Sequence, residues 1–273
     1  MRNHHDIKST HPWIDKTKFE PQSQATILQQ VITRVRSEHA NRIQNGGKPV
    51  HVVFDLDSTI FDVKPRTLRI IKEFALTKQA RELSPTLSDW GLTLKAHKLA
   101  YTLRESAEQN GFPYDERNAE SYMKALFAFW KDRFFNHSYV LADHPSLGAV
   151  DYVRAVCDAG AHVVYLTGRD EPGMGRGTRT ALEHWGFPLD GIKHRLILKP
   201  YFGMDDSEFK DQALADLRSH CDVAALFDNE PANFYVFEKN FPEALLIFFH
   251  STCSQKEARA VNKIYRINDF LLS

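Results

Sequence analysis

The stretch His51 to Phe61, HVVFDLDSTIF, decides the fold of this 273-residue chain. Val52, Val53 and Phe54 are an apolar run of strand-forming residues that stops abruptly at Asp55. Side chains alternate across a strand, so Asp55 and Asp57 face the same way while the chain stays extended. At the carboxyl end of a central parallel strand, that direction is the crevice where open α/β sheets bind ligands. Two carboxylates side by side repel unless a cation sits between them or one holds a proton. Asp, Ser and Thr also suit a turn and a helix cap at a strand end, so the stretch alone is compatible with a purely structural role.

Working outward, further strand patterns follow in the second half of the chain. Val163 to Leu166 ends at Thr167-Gly168-Arg169-Asp170, Leu196 to Leu198 at Lys199-Pro200, and Val223 to Phe227 at Asp228-Asn229-Glu230. Ala244 to Phe249 is another strand, and Ile264 to Leu272 a further edge element. Helical patterns separate them: Leu147 to Asp158, Thr178 to Trp185, Glu208 to His220 with Ser207 as its cap, and 233 to 240. This alternation predicts a Rossmann-like α/β core, a parallel sheet with right-handed crossovers. Parallel strands put their carboxyl ends on one edge of the sheet. Asp55, Asp57, Thr167 and Asp228, far apart in sequence, are thereby predicted to converge on one crevice.

Between the first two strands the pattern is helical. Leu68, Ile71, Phe74 and Ala75 form one apolar stripe, Leu92, Leu94, Ala96, Leu99 and Leu103 a second, and Tyr122, Met123, Leu126, Phe127, Phe129 and Trp130 a third. Residues 64–143 read as an inserted helical domain, with its aromatic stripe expected in the insert's own core. The core domain is then 23–63 and 144–273. It opens with an amphipathic helix carrying Ile27, Leu28, Val31, Ile32 and Val35, closed by Asn45-Gly46-Gly47. Residues 1–22 are expected to be a flexible arm, with His4, His5 and His11 in solvent rather than on a metal.

Lysine plus arginine number 35 and aspartate plus glutamate 35, so no basic field exists to recruit nucleic acid or an anionic membrane surface. The three cysteines, Cys157, Cys221 and Cys253, lack metal-like spacing and suit free thiols in a reducing compartment. The polar start, MRNHHDIKSTHPW, lacks the apolar core of a secretory signal, and no apolar run approaches a membrane span. A cytoplasmic location is the expectation. Nothing in the sequence sets the oligomeric state.

FDLDST at 54–59, LTGR at 166–169 and FDNEPAN at 227–233 resemble the first, second and fourth motifs of the haloacid dehalogenase-like (HAD) superfamily. The resemblance spans residues 50 to 250, with the insert where that superfamily places a helical C1 cap. It implies a magnesium-dependent phosphatase acting on a small phosphorylated metabolite. Magnesium neutralises a carboxylate and a phosphoryl oxygen. Asp55 attacks phosphorus to form an aspartyl-phosphate. Asp57 protonates the leaving oxygen and later takes a proton from water. Thr167 and Gly168 hold phosphoryl oxygens, and Ser58, Thr59, Arg169 and Lys199 are expected among the phosphate and substrate contacts. The metal ligands implied are Asp55, Asp228 and the backbone carbonyl of Asp57. Asn233 stands where many members carry a second aspartate and is expected to hold a metal-bound water.

The superfamily also uses a lysine to balance the nucleophile and the phosphoryl group. Lys210, early in the helix before the Asp228 strand, is favoured, and Lys199, ending a short strand, is the alternative. Arg169, Arg176 and Arg179 flank a Gly-rich loop that either clamps a second anionic group or is simply solvated. A dehalogenase is disfavoured because that branch does not use a second aspartate such as Asp57. A phosphomutase or phosphotransferase, a nucleic-acid end phosphatase and a non-catalytic partner-binding protein are the other readings. Zero net charge and a helical lid weigh against the polymer substrate.

Overall fold

The computed structural model describes residues 7–272. Its centre is β1 (Val50–Phe54), buried along its whole length. A run that is apolar except for His51 suits a parallel strand covered on both faces. Val50, Val52 and Phe54 pack into one core with α2 (Gln24–Asn45), α9 (Ala149–Asp158) and α10 (Arg176–Trp185). Val53 points the other way, into a core with α11 (Asp206–His220) and α12 (Phe234–Asn240). Phe54 is fully buried and stacks on Phe227 at 4.7 Å. Truncating it to alanine would cost about 3–5 kcal/mol.

The remaining strands of the sheet are β4 (His162–Asp170), β5 (His194–Lys199), β6 (Asp222–Asp228), β7 (Leu245–Phe249) and β8 (Tyr265–Ile267). Among the described residues the order is β5-β4-β1-β6-β7-β8, and every neighbouring pair is parallel. The sheet is thus the α/β core that the strand and helix alternation predicts. β1 lies between β4 and β6, so the carboxyl ends bearing Asp55, Thr167 and Asp228 are adjacent. β4 runs past Thr167, and its register with β5 shifts between Thr167 and Asp170. Such a bulge re-aims side chains, here at Gly168 and Arg169.

The insert holds α3 (Lys64–Ala75), α4 (Lys78–Leu83), α5 (Pro85–Thr93), α6 (Leu103–Gln109), α7 (Ala119–Phe134) and α8 (His137–Val140). Short strands β2 (Phe61–Asp62) and β3 (His144–Pro145) flank it and pair antiparallel, Phe61 opposite Pro145 and Asp62 opposite His144. Ile71, Phe74, Leu87, Leu99, Tyr122 and Leu126 form a core separate from those of the sheet. The aromatic stripe of α7 splits. Tyr122 and Leu126 enter that core, whereas Phe127 is 53% exposed and Trp130 is only half-buried. Periodicity marks an apolar face but not what covers it.

The N-terminal segment differs from the flexible arm expected of it. Residues 12–16 form α1 (Pro12–Lys16), and Trp13 is buried, stacked on Phe234 at 5.7 Å. Its indole N–H donates to the Arg259 carbonyl at 2.9 Å. A large ring with its one polar atom satisfied is better placed in the core than in water. His11, expected in solvent, is buried and caps α1 by accepting from the Trp13 N–H. His4 and His5 lie outside the described residues. Asp205, not Ser207, caps α11, accepting from the backbone N–H groups of Ser207 and Glu208.

Candidate active site

A cavity of about 360 Å³ opens at the carboxyl edge of the sheet, beneath the insert. Asp55, Asp57, Ser58, Thr167, Gly168, Arg169, Lys210, Asp228 and Asn233 all line it. β1 delivers Asp55, whose backbone N–H still bonds the Phe227 carbonyl of β6 at 2.9 Å. After Asp57 the chain turns sharply. Ser58 adopts φ 59°, a left-handed conformation that side chains other than glycine rarely take. The turn is held by Ser58 N–H on the Phe61 carbonyl at 2.7 Å and by Ser251 Oγ on the Ser58 carbonyl at 2.5 Å.

Lys210 bridges the two innermost carboxylates. Its Nζ lies 2.7 Å from Asp55 Oδ1 and 2.6 Å from Asp228 Oδ2. Two buried carboxylates sharing one ammonium leave an excess negative charge. Burial pushes the Asp55 pKa up; Lys210 opposes this and Asp228 adds to it, with the result at about 7. Burial alone would lower the Lys210 pKa, but Asp228 and Asp55 outweigh it and hold it above the ordinary lysine range. Asp228 is anchored by the Glu230 backbone N–H at 2.7 Å and by Asn233 Nδ2 at 2.9 Å. Asn233, expected to hold a metal-bound water through its amide oxygen, turns its NH₂ to Asp228, while Ser207 Oγ lies 3.5 Å from that oxygen.

Asp57 has different partners. Arg169 Nη2 reaches its Oδ1 at 2.7 Å and Arg66 Nη2 reaches the same atom at 2.9 Å. Both arginines also grip Asp143, Arg66 through Nε at 2.7 Å and Arg169 through Nη2 at 2.7 Å. Burial pushes the Asp57 pKa up, but the charges of Arg169 and Arg66 prevail and hold it well below the usual carboxylate range. Asp143 is raised, because complete burial outweighs the same arginines. The two carboxylates of the first motif therefore sit in opposite environments.

Several expected contacts are placed elsewhere. Thr59 is fully buried behind Asp55, its Oγ1 3.1 Å from Asp55 Oδ2, and is absent from the cavity wall. Lys199 does not line the cavity, and its Nζ is held by Asp206 at 2.7 Å and by the Met204 and Phe202 carbonyls. Arg169 lines the cavity and bonds Asp57, Asp143 and Thr178. Arg176 bonds His137 and Arg179 pairs with Glu171. The glycines between them serve close packing. A Cβ on Gly177 would meet the His137 carbonyl oxygen at 2.2 Å. Arg66 and Asp143 were not signalled by the sequence, because an arginine on an amphipathic helix and an aspartate before a proline-containing turn ordinarily read as solvated.

The oxygen donors present fit a hard cation. Asp55 and Asp228 offer two carboxylates with surplus negative charge, and magnesium is commonly held by one or two carboxylates while keeping waters. Among the described residues no group of three or more His, Cys, Asp or Glu is placed to hold a metal ion.

A family model for haloacid dehalogenase-like hydrolases matches residues 50–230. The chain belongs to that family of hydrolases. No curated protein matches it. Among solved structures it is similar to protein tyrosine kinase A of Mycobacterium tuberculosis, at 17% identity and TM-score 0.48, covering 82% of this chain and 97% of that one. A predicted phosphatase from Clostridium acetobutylicum is similar at 16% identity and TM-score 0.42, over 74% and 85% of the two chains. A hydrolase from Streptococcus pneumoniae is similar at 10% identity and TM-score 0.46, over 78% and 95%. No helix among the described residues is long and apolar enough to cross a membrane.

Proposed function

We propose that this hydrolase is a magnesium-dependent phosphatase that cleaves a small-molecule phosphomonoester through an aspartyl-phosphate on Asp55. The observation that carries the reading is the convergence of Asp55 and Asp228 on Lys210 Nζ, at 2.7 and 2.6 Å, in the cavity that Asp57 and Thr167 also line. Asp55, Asp228 and the Asp57 backbone carbonyl would hold the magnesium, with Asn233 orienting Asp228. When bound, that ion supplies neutralisation of carboxylate and phosphoryl charge.

The chain's own groups account for the rest. Lys210 balances the negative charge gathered between Asp55 and the phosphoryl group. The Thr167 hydroxyl and the Gly168 N–H hold phosphoryl oxygens. An Asp55 oxygen attacks phosphorus as the bond to the leaving oxygen breaks, and Asp57 delivers a proton to that oxygen. Water then attacks the aspartyl-phosphate, Asp57 takes its proton, and Asp55 and inorganic phosphate are released. Arg66 and Arg169 hold Asp57 ionised, so it must first take up a proton from solvent before it can protonate the leaving oxygen. The acid step requires that their grip loosen.

Residues 64–143 act in this reading as a cap that excludes bulk water, and a cavity of about 360 Å³ suits a metabolite rather than a polymer. A cytoplasmic location is part of the same proposal. The test is phosphate release from acetyl phosphate, a small activated substrate, with and without magnesium. Release that needs magnesium and disappears in Asp55→Asn is expected. Absence of release from acetyl phosphate and from a metabolite-phosphate panel would refute the reading.

A further inference from the structure

One flank of α7 remains outside the core of the insert. Phe127, Trp130 and Phe134 recur at helical spacing and all line the cavity whose floor carries Asp55 and Asp228. Their rings form a continuous stack, Phe127 to Trp130 at 6.0 Å and Trp130 to Phe134 at 4.5 Å, each pair 28° from parallel. The indole N–H of Trp130 is 3.3 Å from Thr67 Oγ1. Trp130 is the middle ring of that stack, between Phe127 and Phe134, so the exposed ring at the end of the stack is Phe127. Tyr101, 48% exposed, lines the same cavity with Leu99 and Leu103. A soluble protein keeps several large apolar groups in one concave surface when a ligand covers them.

Several polar groups near this wall are engaged with one another. The guanidinium groups of Arg66 and Arg169 are spent on Asp57 and Asp143. The Thr102 side chain caps α6. Lys256 at the cavity edge lies 3.8 Å from Asp205. A second phosphate would find Arg169 on the cavity wall already bonded to Asp57 and Asp143. A flat uncharged ring would find an aromatic surface to lie on.

We infer that the leaving group of the substrate carries a neutral planar ring, aromatic or heteroaromatic, that stacks on Phe127, extending the row of rings Trp130 belongs to, while its phosphoryl group meets Asp55. This rests on the phosphatase reading above. The ring is either attached close to the ester oxygen, as in an arylmethyl phosphate, or set further away, as in a nucleoside 5′-monophosphate.

Matched pairs separate the ring from leaving-group reactivity. Benzyl phosphate is compared with cyclohexylmethyl phosphate, and a purine nucleoside 5′-monophosphate with ribose 5-phosphate. In each pair the leaving group is a primary alcohol. The planar member of at least one pair is expected to show kcat/KM higher by on the order of tenfold, the scale of stacking on an aromatic side chain. The favoured pair identifies where the ring lies. In Trp130→Leu and Phe127→Leu that ratio should fall toward one, whatever happens to the absolute rates. The same pairs are titrated calorimetrically into Asp55→Asn, where turnover does not interfere. Equal kcat/KM and equal binding within both pairs, with acetyl phosphate still hydrolysed, overturns the planar-ring inference and leaves the phosphatase standing. Tighter binding of the planar members without hydrolysis of any substrate supports the ring site and sinks the phosphatase reading alone. Equal binding with no hydrolysis sinks both.

Discussion

Arg66 Nη2 lies 2.9 Å from Asp57 Oδ1, so the carboxylate two residues past Asp55 is bonded to the first turn of the insert. The same guanidinium binds Asp143, which lies just before β3 where the chain returns to the core. Arg169 closes the circuit from the core side. Arg66, Asp143 and Arg169 have no side-chain exposure, and the four groups carry two charges of each sign. Such a cluster is costly to desolvate, and removing one member is costlier than the cluster is stabilising. Both segments that lead into the insert are thereby tied to Asp57.

Loosening this cluster should affect proton donation more than nucleophilic attack. Arg66→Lys keeps the charge but loses the fork that spans Asp57 and Asp143. The kcat/KM for an alkyl phosphate, whose leaving oxygen needs a proton, is expected to rise about tenfold relative to that for p-nitrophenyl phosphate, whose leaving group does not, because a weaker grip on Asp57 favours its protonated form. Equal losses on the two substrates would show that the cluster is merely structural. Asp143→Asn should also lower stability, by about 3–5 kcal/mol in urea unfolding.

Asp55→Asn should abolish phosphate release while the fold survives, because the amide is nearly isosteric but cannot attack phosphorus. Activity within tenfold of the parent would refute Asp55 as nucleophile. Lys210→Ala should lower kcat by about 10²–10³, the cost of losing one preorganised positive group.

Lys199→Ala should behave otherwise. Lys199 is off the cavity wall, and its ammonium serves Asp206, which lines the cavity, and two backbone carbonyls. The expected result is kcat/KM close to the parent value and a stability loss of about 1–3 kcal/mol. A crippled Lys199→Ala beside an active Lys210→Ala would reverse the assignment of the two lysines.

Chelation should stop phosphate release, and added magnesium should restore it. Manganese or cobalt should replace magnesium, since an oxygen donor set accepts several such cations. Asp228→Asn should raise the magnesium concentration needed for half-maximal activity, measured by titration of the metal-stripped protein. Full activity in the presence of excess EDTA would exclude the metal.

His51 makes stability depend on acid. It is 3% exposed, and burial lowers its pKa from 6.5 to about 4 against a hydrogen bond from the ring to the Pro49 carbonyl. The unfolded chain takes up this proton at higher pH than the folded one, so stability contributed above pH 6.5 is lost as pH falls toward about 4. The loss from this residue is on the order of 3 kcal/mol. Urea unfolding of the parent and of His51→Gln at pH 7 and pH 4.5 measures it, and equal pH dependence in both would discount His51.

The alternation of strands and helices and the carboxylates at the strand ends were legible in the sequence because both are local signals. A buried parallel strand needs an apolar run such as Val50–Phe54, and its chemistry appears where that run ends, at Asp55, Thr167 and Asp228. What the sequence left open was every choice made by distant partners. Motif context favoured Lys210 over Lys199 without excluding either, and the packing of α11 beneath β1 and β6 brings the Lys210 ammonium to Asp55 and Asp228. Arg66 and Asp143 are 77 residues apart, and no local pattern announces that both will be buried against Asp57. The aromatic stripe of α7 was visible, but its division between a core and a cavity depends on how the neighbouring helices and the sheet cover it. Periodicity fixes which side chains share a face, and tertiary packing alone decides what that face meets.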